Sequence, residues 1–131
     1  MTIVLDASAM VEFILGSAKG QQVRTLIETN GADIHAPGLI LAESLSALRS
    51  LERRTDITAS RATAAATDLR SVPFTAYPTT PVFERIWALR GRFTVYDAHY
   101  IALAEVLGAP LITGDRKLAT AAADVVQIMT V

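Results

Sequence analysis

The sequence predicts an α/β fold with a mostly parallel sheet covered by helices on both faces. Three observations predict it. Short apolar, β-branched runs alternate with helix-length amphipathic segments along the 131 residues. No hairpin signal joins neighbouring strands. The first run, Ile3-Val4-Leu5, is apolar without alternation, as in a parallel strand buried on both faces.

Taken in order, Thr2–Leu5 reads as that buried strand and ends at Asp6. Ala7–Leu15 reads as a short helix closed by Gly16, and Ala18–Thr29 as a second, with Val23, Leu26 and Ile27 at helical spacing before a stop at Gly31. Asp33–His35 is a short strand. Pro37–Arg54 is the longest helical pattern, with Pro37 suited to the first turn and Leu41, Leu45, Leu48 and Glu52 on one strip. Thr58 caps an alanine-rich helix reaching Arg70. Phe74–Tyr77 is a strand, and Thr80-Pro81 opens a helix running to about Arg90. Tyr96–Leu107 is helical and ends at Gly108; Pro110–Thr113 is a strand, Asp115–Ala122 a short helix and Val125–Met129 the last strand.

The length suits one domain spanning residues 1–131. Hydrophobic residues make up 51% and charged residues 19%, a globular balance. The absence of cysteine excludes a disulfide framework, a thiolate metal site and a cysteine nucleophile. The opening MTIVLDASAM lacks the basic region of a signal peptide, and no apolar run approaches the ~18 residues of a membrane span. A soluble cytoplasmic protein is therefore expected. A net charge of −1 gives nucleic-acid binding no bulk electrostatic support, so any such contact must come from local basic patches or bound metal.

Four acids occupy unusual places. Asp6 directly follows the first strand, and Asp115 follows Leu111-Ile112-Thr113 after one glycine. In parallel sheets ligands bind outside the carboxyl ends of the strands, where both acids would lie. Asp97 heads a helical face carrying Ile101 and Ala104, and Glu43 has Leu39, Ile40, Ser46 and Ala47 as its helical neighbours. A carboxylate in an apolar setting needs a partner, a proton or a metal. Gathered carboxylates suit hard cations such as Mg²⁺ or Mn²⁺. One ion activates water and polarises a phosphoryl oxygen; a second, roughly 3.5–4 Å away, would stabilise the leaving oxygen.

The segments around these acids resemble the motifs of PIN domains of the VapC toxin group. Val4-Leu5-Asp6-Ala7-Ser8-Ala9 resembles the first motif and Leu41-Ala42-Glu43-Ser44 the second. Tyr96-Asp97-Ala98-His99-Tyr100-Ile101-Ala102-Leu103-Ala104 resembles the third, and Leu111-Ile112-Thr113-Gly114-Asp115-Arg116-Lys117-Leu118 the fourth. Order, gaps and total length agree along essentially the whole chain. The resemblance implies an α/β/α sandwich and an endoribonuclease in which Asp6, Glu43, Asp97 and Asp115 hold one or two Mg²⁺ or Mn²⁺ ions. It also implies that Ser8 and Thr113 orient the carboxylates, that a metal-activated water is the nucleophile, and that products carry a 5′-phosphate and a 3′-hydroxyl. A VapB-type antitoxin and a homodimer are the implied partners. Asp124 is the local candidate for a further late acid.

Ordinary readings stand beside these. Asp6, Asp97 and Asp115 are each placed as helix-capping or first-turn acids, and Glu43 could pair with an arginine. Arg90, Arg92, Arg116 and Lys117 bracket Asp97 and Asp115 and are the candidates for RNA backbone contacts. Arg49, Arg53 and Arg54 suit a helix C-terminus, the preferred reading, with a phosphate-contacting patch as the alternative. His99 is read as packing or RNA-facing, His35 as a loop or strand-end residue, and Phe83, Ile86 and Trp87 as core or interface. Ser8 has no histidine partner for a serine-hydrolase triad. The alternatives are a catalytically silent PIN-like binding module, a phosphoreceiver-like domain lacking the acidic pair, and a haloacid-dehalogenase-like phosphatase. The last would use Asp6 as nucleophile but has Ser8 where a second aspartate is needed.

Overall fold

β1 (Thr2–Leu5) is the centre of the molecule because nothing in its last three residues can face water: Ile3, Val4 and Leu5 are completely buried. A computed structural model describes all 131 residues. After β1 come α1 (Ala7–Leu15), α2 (Ala18–Asn30), β2 (Asp33–Pro37), α3 (Ile40–Arg53), α4 (Ala59–Ser71) and β3 (Thr75–Tyr77). A 3₁₀ turn (Thr80–Val82) leads to α5 (Phe83–Ala88), α6 (Val95–Leu107), β4 (Leu111–Thr113), α7 (Arg116–Ala122) and β5 (Ile128–Thr130).

All five strands are parallel, in the order β3-β2-β1-β4-β5. The order runs outward from β1 in one direction to β3, then from β4 outward in the other. Right-handed crossovers therefore place α1–α4 on one face and α5–α7 on the opposite face. Consistent with this, α1–α4 pack on one another while α6 lies across β1, β2 and β4. The result is the expected α/β/α sandwich. The order of winding reverses between the parallel strands β1 and β4, and their carboxyl ends lie at the switch point where such sheets open a crevice.

Local chemistry explains most helix ends. Asp6, Ser17, Thr58, Thr94 and Asp115 cap five helices through their side chains. Gly16, Gly31 and Gly108 close α1, α2 and α6 in the left-handed conformation. Gly20 serves a different need: a Cβ there would lie 2.0 Å from the Glu12 carbonyl oxygen, so α1 and α2 approach closely only because it is glycine.

Several elements differ from expectation. Pro37 ends β2 instead of opening a helix. It cannot donate to the ladder, and Gly38 N–H supplies the bond to Tyr77 O instead, at 3.0 Å. On α3 the buried strip is Ile40, Ser44 and Leu48, whereas Leu41 and Leu45 are 39% and 48% exposed. Thr80-Pro81 opens a 3₁₀ turn, and α5 stops at Ala88. The last strand begins at Ile128, because Val125 and Val126 still belong to the turn closing α7.

Candidate active site

Asp6 leaves the end of β1 and caps α1, accepting a 2.9 Å bond from Ala9 N–H. It is only 5% exposed. Its Oδ1 also accepts from the Ser8 hydroxyl at 2.6 Å, and its Oδ2 accepts from the Thr113 hydroxyl. Ser8 Oγ in turn accepts from Gly114 N–H, and Thr113 Oγ1 from Asp115 N–H, each at 2.9 Å. The β1–α1 and β4–α7 junctions are thus stitched together through one carboxylate. Burial pushes the Asp6 carboxyl upward; the Ser8, Thr113 and Ala9 bonds oppose the shift, and the charge of Asp115 adds to it.

Asp115 caps α7, accepting from Lys117 N–H at 2.9 Å and Leu118 N–H at 3.1 Å through one oxygen. Asp97 lies in the first turn of α6, where Thr94 Oγ1 accepts from its backbone N–H. The Asp97 carboxyl is raised by burial first and by Asp115 second, with the Thr94 hydroxyl opposing. The capping roles expected of Asp6 and Asp115 are therefore present, but capping leaves these acids close enough to feel one another's charge.

Glu43 sits half-buried in the first turn of α3. Its partner is not an arginine: the Tyr100 hydroxyl donates to Oε1 at 2.7 Å. Tyr100 was not among the residues singled out from the sequence. It stands three positions after Asp97, so the helical arithmetic that set Ile101 on that face also reaches it. Burial pushes its phenol far above the ordinary range, followed by Glu43 and then by the charges of Asp6 and Asp97. None of the salt bridges in the molecule involves any of the four acids. No three acid or histidine side chains converge tightly enough to form a finished metal cage. The donor set nevertheless fits a hard divalent cation: it is all oxygen, anionic and without a basic partner.

The basic candidates divide. Arg116 and Lys117 are exposed in the first turn of α7 and form no ion pair. Arg90 is also exposed, but stacks on Trp87 at 4.3 Å and donates to Trp87 O. Arg92 is engaged by Asp124 through two bonds, of 2.8 and 3.2 Å, and by Ala121 O. That pairing holds the Asp124 carboxyl below its usual range and commits it away from the four acids. His99 is buried between Val95 O, at 2.6 Å, and Thr79 Oγ1, at 3.0 Å. His35 lies within β2 and bonds the Tyr77 hydroxyl. Of the three residues assigned to core or interface, Ile86 is buried, while Phe83 and Trp87 are 63% and 59% exposed. The apolar recess between Pro37, Tyr77, Val82, His99 and Leu103 includes none of the four acids.

A doubly wound parallel sheet with acidic side chains, none of them ion-paired, near its switch point defines a small α/β protein whose candidate site is acidic. The PIN domain family matches residues 3–124. Ribonuclease VapC9 of Mycobacterium tuberculosis is 39% identical over 116 residues, covering 88% of this chain and 87% of that protein. Among solved structures, Mycobacterium tuberculosis VapC20, described as a sarcin-ricin loop cleaving toxin, superposes with a TM-score of 0.64 at 20% identity, covering 91% of this chain and 94% of its own. VapBC2 of Rickettsia felis, solved with a DNA fragment from its promoter, gives 0.64 at 13% identity, covering 99% and 98%. The chain belongs to the PIN domain family, among its VapC ribonucleases.

Proposed function

We propose that this chain is the endoribonuclease toxin of a toxin–antitoxin pair, a single domain over residues 1–131 that hydrolyses RNA phosphodiester bonds with Mg²⁺ or Mn²⁺. The observation that carries the reading is a set of acids without a cationic partner: Asp6 and Asp115 at the ends of β1 and β4, both bonded to Thr113, Asp97 in the first turn of α6, and Glu43 bonded to Tyr100 one turn further along α6. The likeness to VapC9 supports the ribonuclease activity. The four carboxylates would hold the ion. When bound, it supplies Lewis-acid chemistry: a lowered pKa for attacking water and neutralisation of charge on the phosphoryl oxygens.

The protein's own groups do the rest. Ser8 and Thr113 hold both oxygens of Asp6 and fix its direction. Ser8 is no nucleophile, because its hydrogen is given to a carboxylate and both histidine rings are engaged elsewhere. Arg116 and Lys117 receive backbone phosphates, since they stand free beside Asp115. Attack by water leaves a 5′-phosphate and a 3′-hydroxyl.

An antitoxin of the VapB type is the partner this reading expects, and Leu41 and Leu45 offer it an exposed apolar surface on the helix that carries Glu43. A homodimer is also part of the proposal; Phe83 and Trp87 on α5 and Val95, Tyr96 and Val106 on α6 are exposed apolar side chains that such a contact would cover. No helix is long and apolar enough to cross a membrane, and the cytoplasm is the proposed site of action.

The test is cleavage of RNA by the partner-free chain with Mg²⁺ or Mn²⁺, beside EDTA and Asp6→Asn controls. Cleavage abolished by both supports the reading. Cleavage that persists in Asp6→Asn overturns the site, and a folded chain inert toward a broad panel of structured and single-stranded RNAs turns the assignment toward a binding module.

A further inference from the structure

We infer that Tyr100 is a positioning residue of this site: its hydroxyl holds Glu43 in the orientation in which that carboxylate joins the cation-binding set. The inference rests on the metal-dependent reading proposed above.

The two residues come from opposite layers. Glu43 is in the first turn of α3, just beyond the end of β2, and Tyr100 is on α6, one turn after Asp97. The 2.7 Å bond between them spans 57 positions and is the one side-chain hydrogen bond joining α3 to α6. Tyr100 itself cannot wander: it is 2% exposed, in a helix packed over β1, β2 and β4. Glu43 can. Its long side chain is half-buried and has no ion-pair partner, and ordering a free glutamate costs rotamer entropy. A rigid phenol supplies that order in advance.

The bond engages only Oε1, and Oε2 accepts no hydrogen bond from the protein, so one oxygen is anchored and the other remains available. The chemistry of the donor also matters. A lysine or arginine in this place would fix Glu43 equally well but would bring a positive charge that repels the cation. A phenol donates a hydrogen bond while adding no charge.

The experiment is a double-mutant cycle on the full chain, reading Mn²⁺ affinity by calorimetry without RNA, with melting temperature in EDTA as the control for folding. Tyr100→Phe keeps the ring and removes the donor. It is expected to weaken Mn²⁺ binding about 10–100-fold, the usual effect of removing a group that orients a ligand, and to lower kcat with little change in the KM for RNA. In the Glu43→Ala background the same substitution should cost nothing further, because the phenol then has nothing to hold. Unchanged Mn²⁺ affinity in Tyr100→Phe, or losses that add in the double variant, overturn the inference. The unsubstituted chain provides a second measurement, independent of whether Tyr100→Phe folds. In tyrosine-labelled protein the Tyr100 Cζ resonance should move on adding Mg²⁺ and stay in place in Glu43→Ala; a resonance that ignores saturating Mg²⁺ overturns the inference. If the parent chain binds neither ion, the metal-dependent reading fails and takes this inference with it. If the parent binds Mn²⁺ and only the Tyr100 cycle is silent, that reading stands and Tyr100 is mere packing.

Discussion

Ser8 Oγ and Thr113 Oγ1 lie 3.3 Å apart across a chain separation of 105 residues, and neither has a hydrogen to give the other. Each hydroxyl owns one hydrogen, and each spends it on a different oxygen of Asp6. The two oxygens tolerate contact because the carboxylate between their hydrogens accepts both, while backbone N–H groups of Gly114 and Asp115 fill the acceptor sides. The two hydroxyls and the Ala9 N–H favour the charged form of Asp6, against its burial, which favours the neutral one.

Thr113→Val tests that arrangement, since it preserves shape while removing the donor to Asp6 and the acceptor for Asp115 N–H. Leaving buried groups unpaired costs about 1–3 kcal/mol, so the melting temperature should fall. Cleavage and Mn²⁺ affinity should drop about 10–100-fold. Thr113→Ser keeps both bonds and should retain most of each. Calorimetric melting and Mn²⁺ titration of the pair check this, and a fully active Thr113→Val would dissolve the proposed orienting role.

Asp97→Asn should raise the melting temperature of the metal-free chain by a few degrees at neutral pH. The sign follows from linkage. Burial and Asp115 raise the Asp97 carboxyl in the folded state, so the folded chain holds that proton more tightly than the unfolded one. The group therefore destabilises the fold above its folded pKa, and the penalty disappears as pH falls toward the ordinary carboxylate value near 3.8. The gain from Asp97→Asn should shrink in the same direction. Melting curves between neutral and acidic pH in EDTA measure it; a loss of stability would mean that Asp97 has a structural partner. Added Mg²⁺ should stabilise the parent more than the variant.

Replacing Arg116 and Lys117 together by glutamine should weaken RNA binding and flatten its salt dependence. Two lost phosphate contacts on a single strand reduce the slope of log K against log salt by about 1.4. Stability should hold or rise slightly, because two cations in the first turn of α7 oppose the helix dipole. RNA titrations at several salt concentrations in the Asp6→Asn background provide the measurement. An unchanged slope would remove both residues from the RNA path.

Gly20→Ala should lower stability although alanine is the better helix former by about 1 kcal/mol. Its Cβ would meet the backbone oxygen of Glu12 at 2.0 Å, which no rotamer change can relieve. Overpacking of this kind costs about 1–3 kcal/mol beyond the propensity gain. A denaturant midpoint equal to that of the parent would mean that α1 and α2 can separate freely.

By itself the sequence determined the order of elements, most of their ends and the four acids. These follow from interactions between near neighbours: caps at Thr58 and Asp115, left-handed glycines at Gly16, Gly31 and Gly108, and the unbroken apolar run of β1. Tertiary structure decided the partners. Leu41 and Leu45 repeat at helical spacing as well as Ile40, Ser44 and Leu48 do, and only packing against α1 and α4 selects the second strip for burial. Pro37 suits a strand end and a helix start equally until β3 lies beside it. The bonds of Glu43 to Tyr100 and of Arg92 to Asp124 cross 57 and 32 positions. Periodicity records which way a side chain faces on its own element; what stands opposite depends on how separate elements dock, and no local pattern carries that.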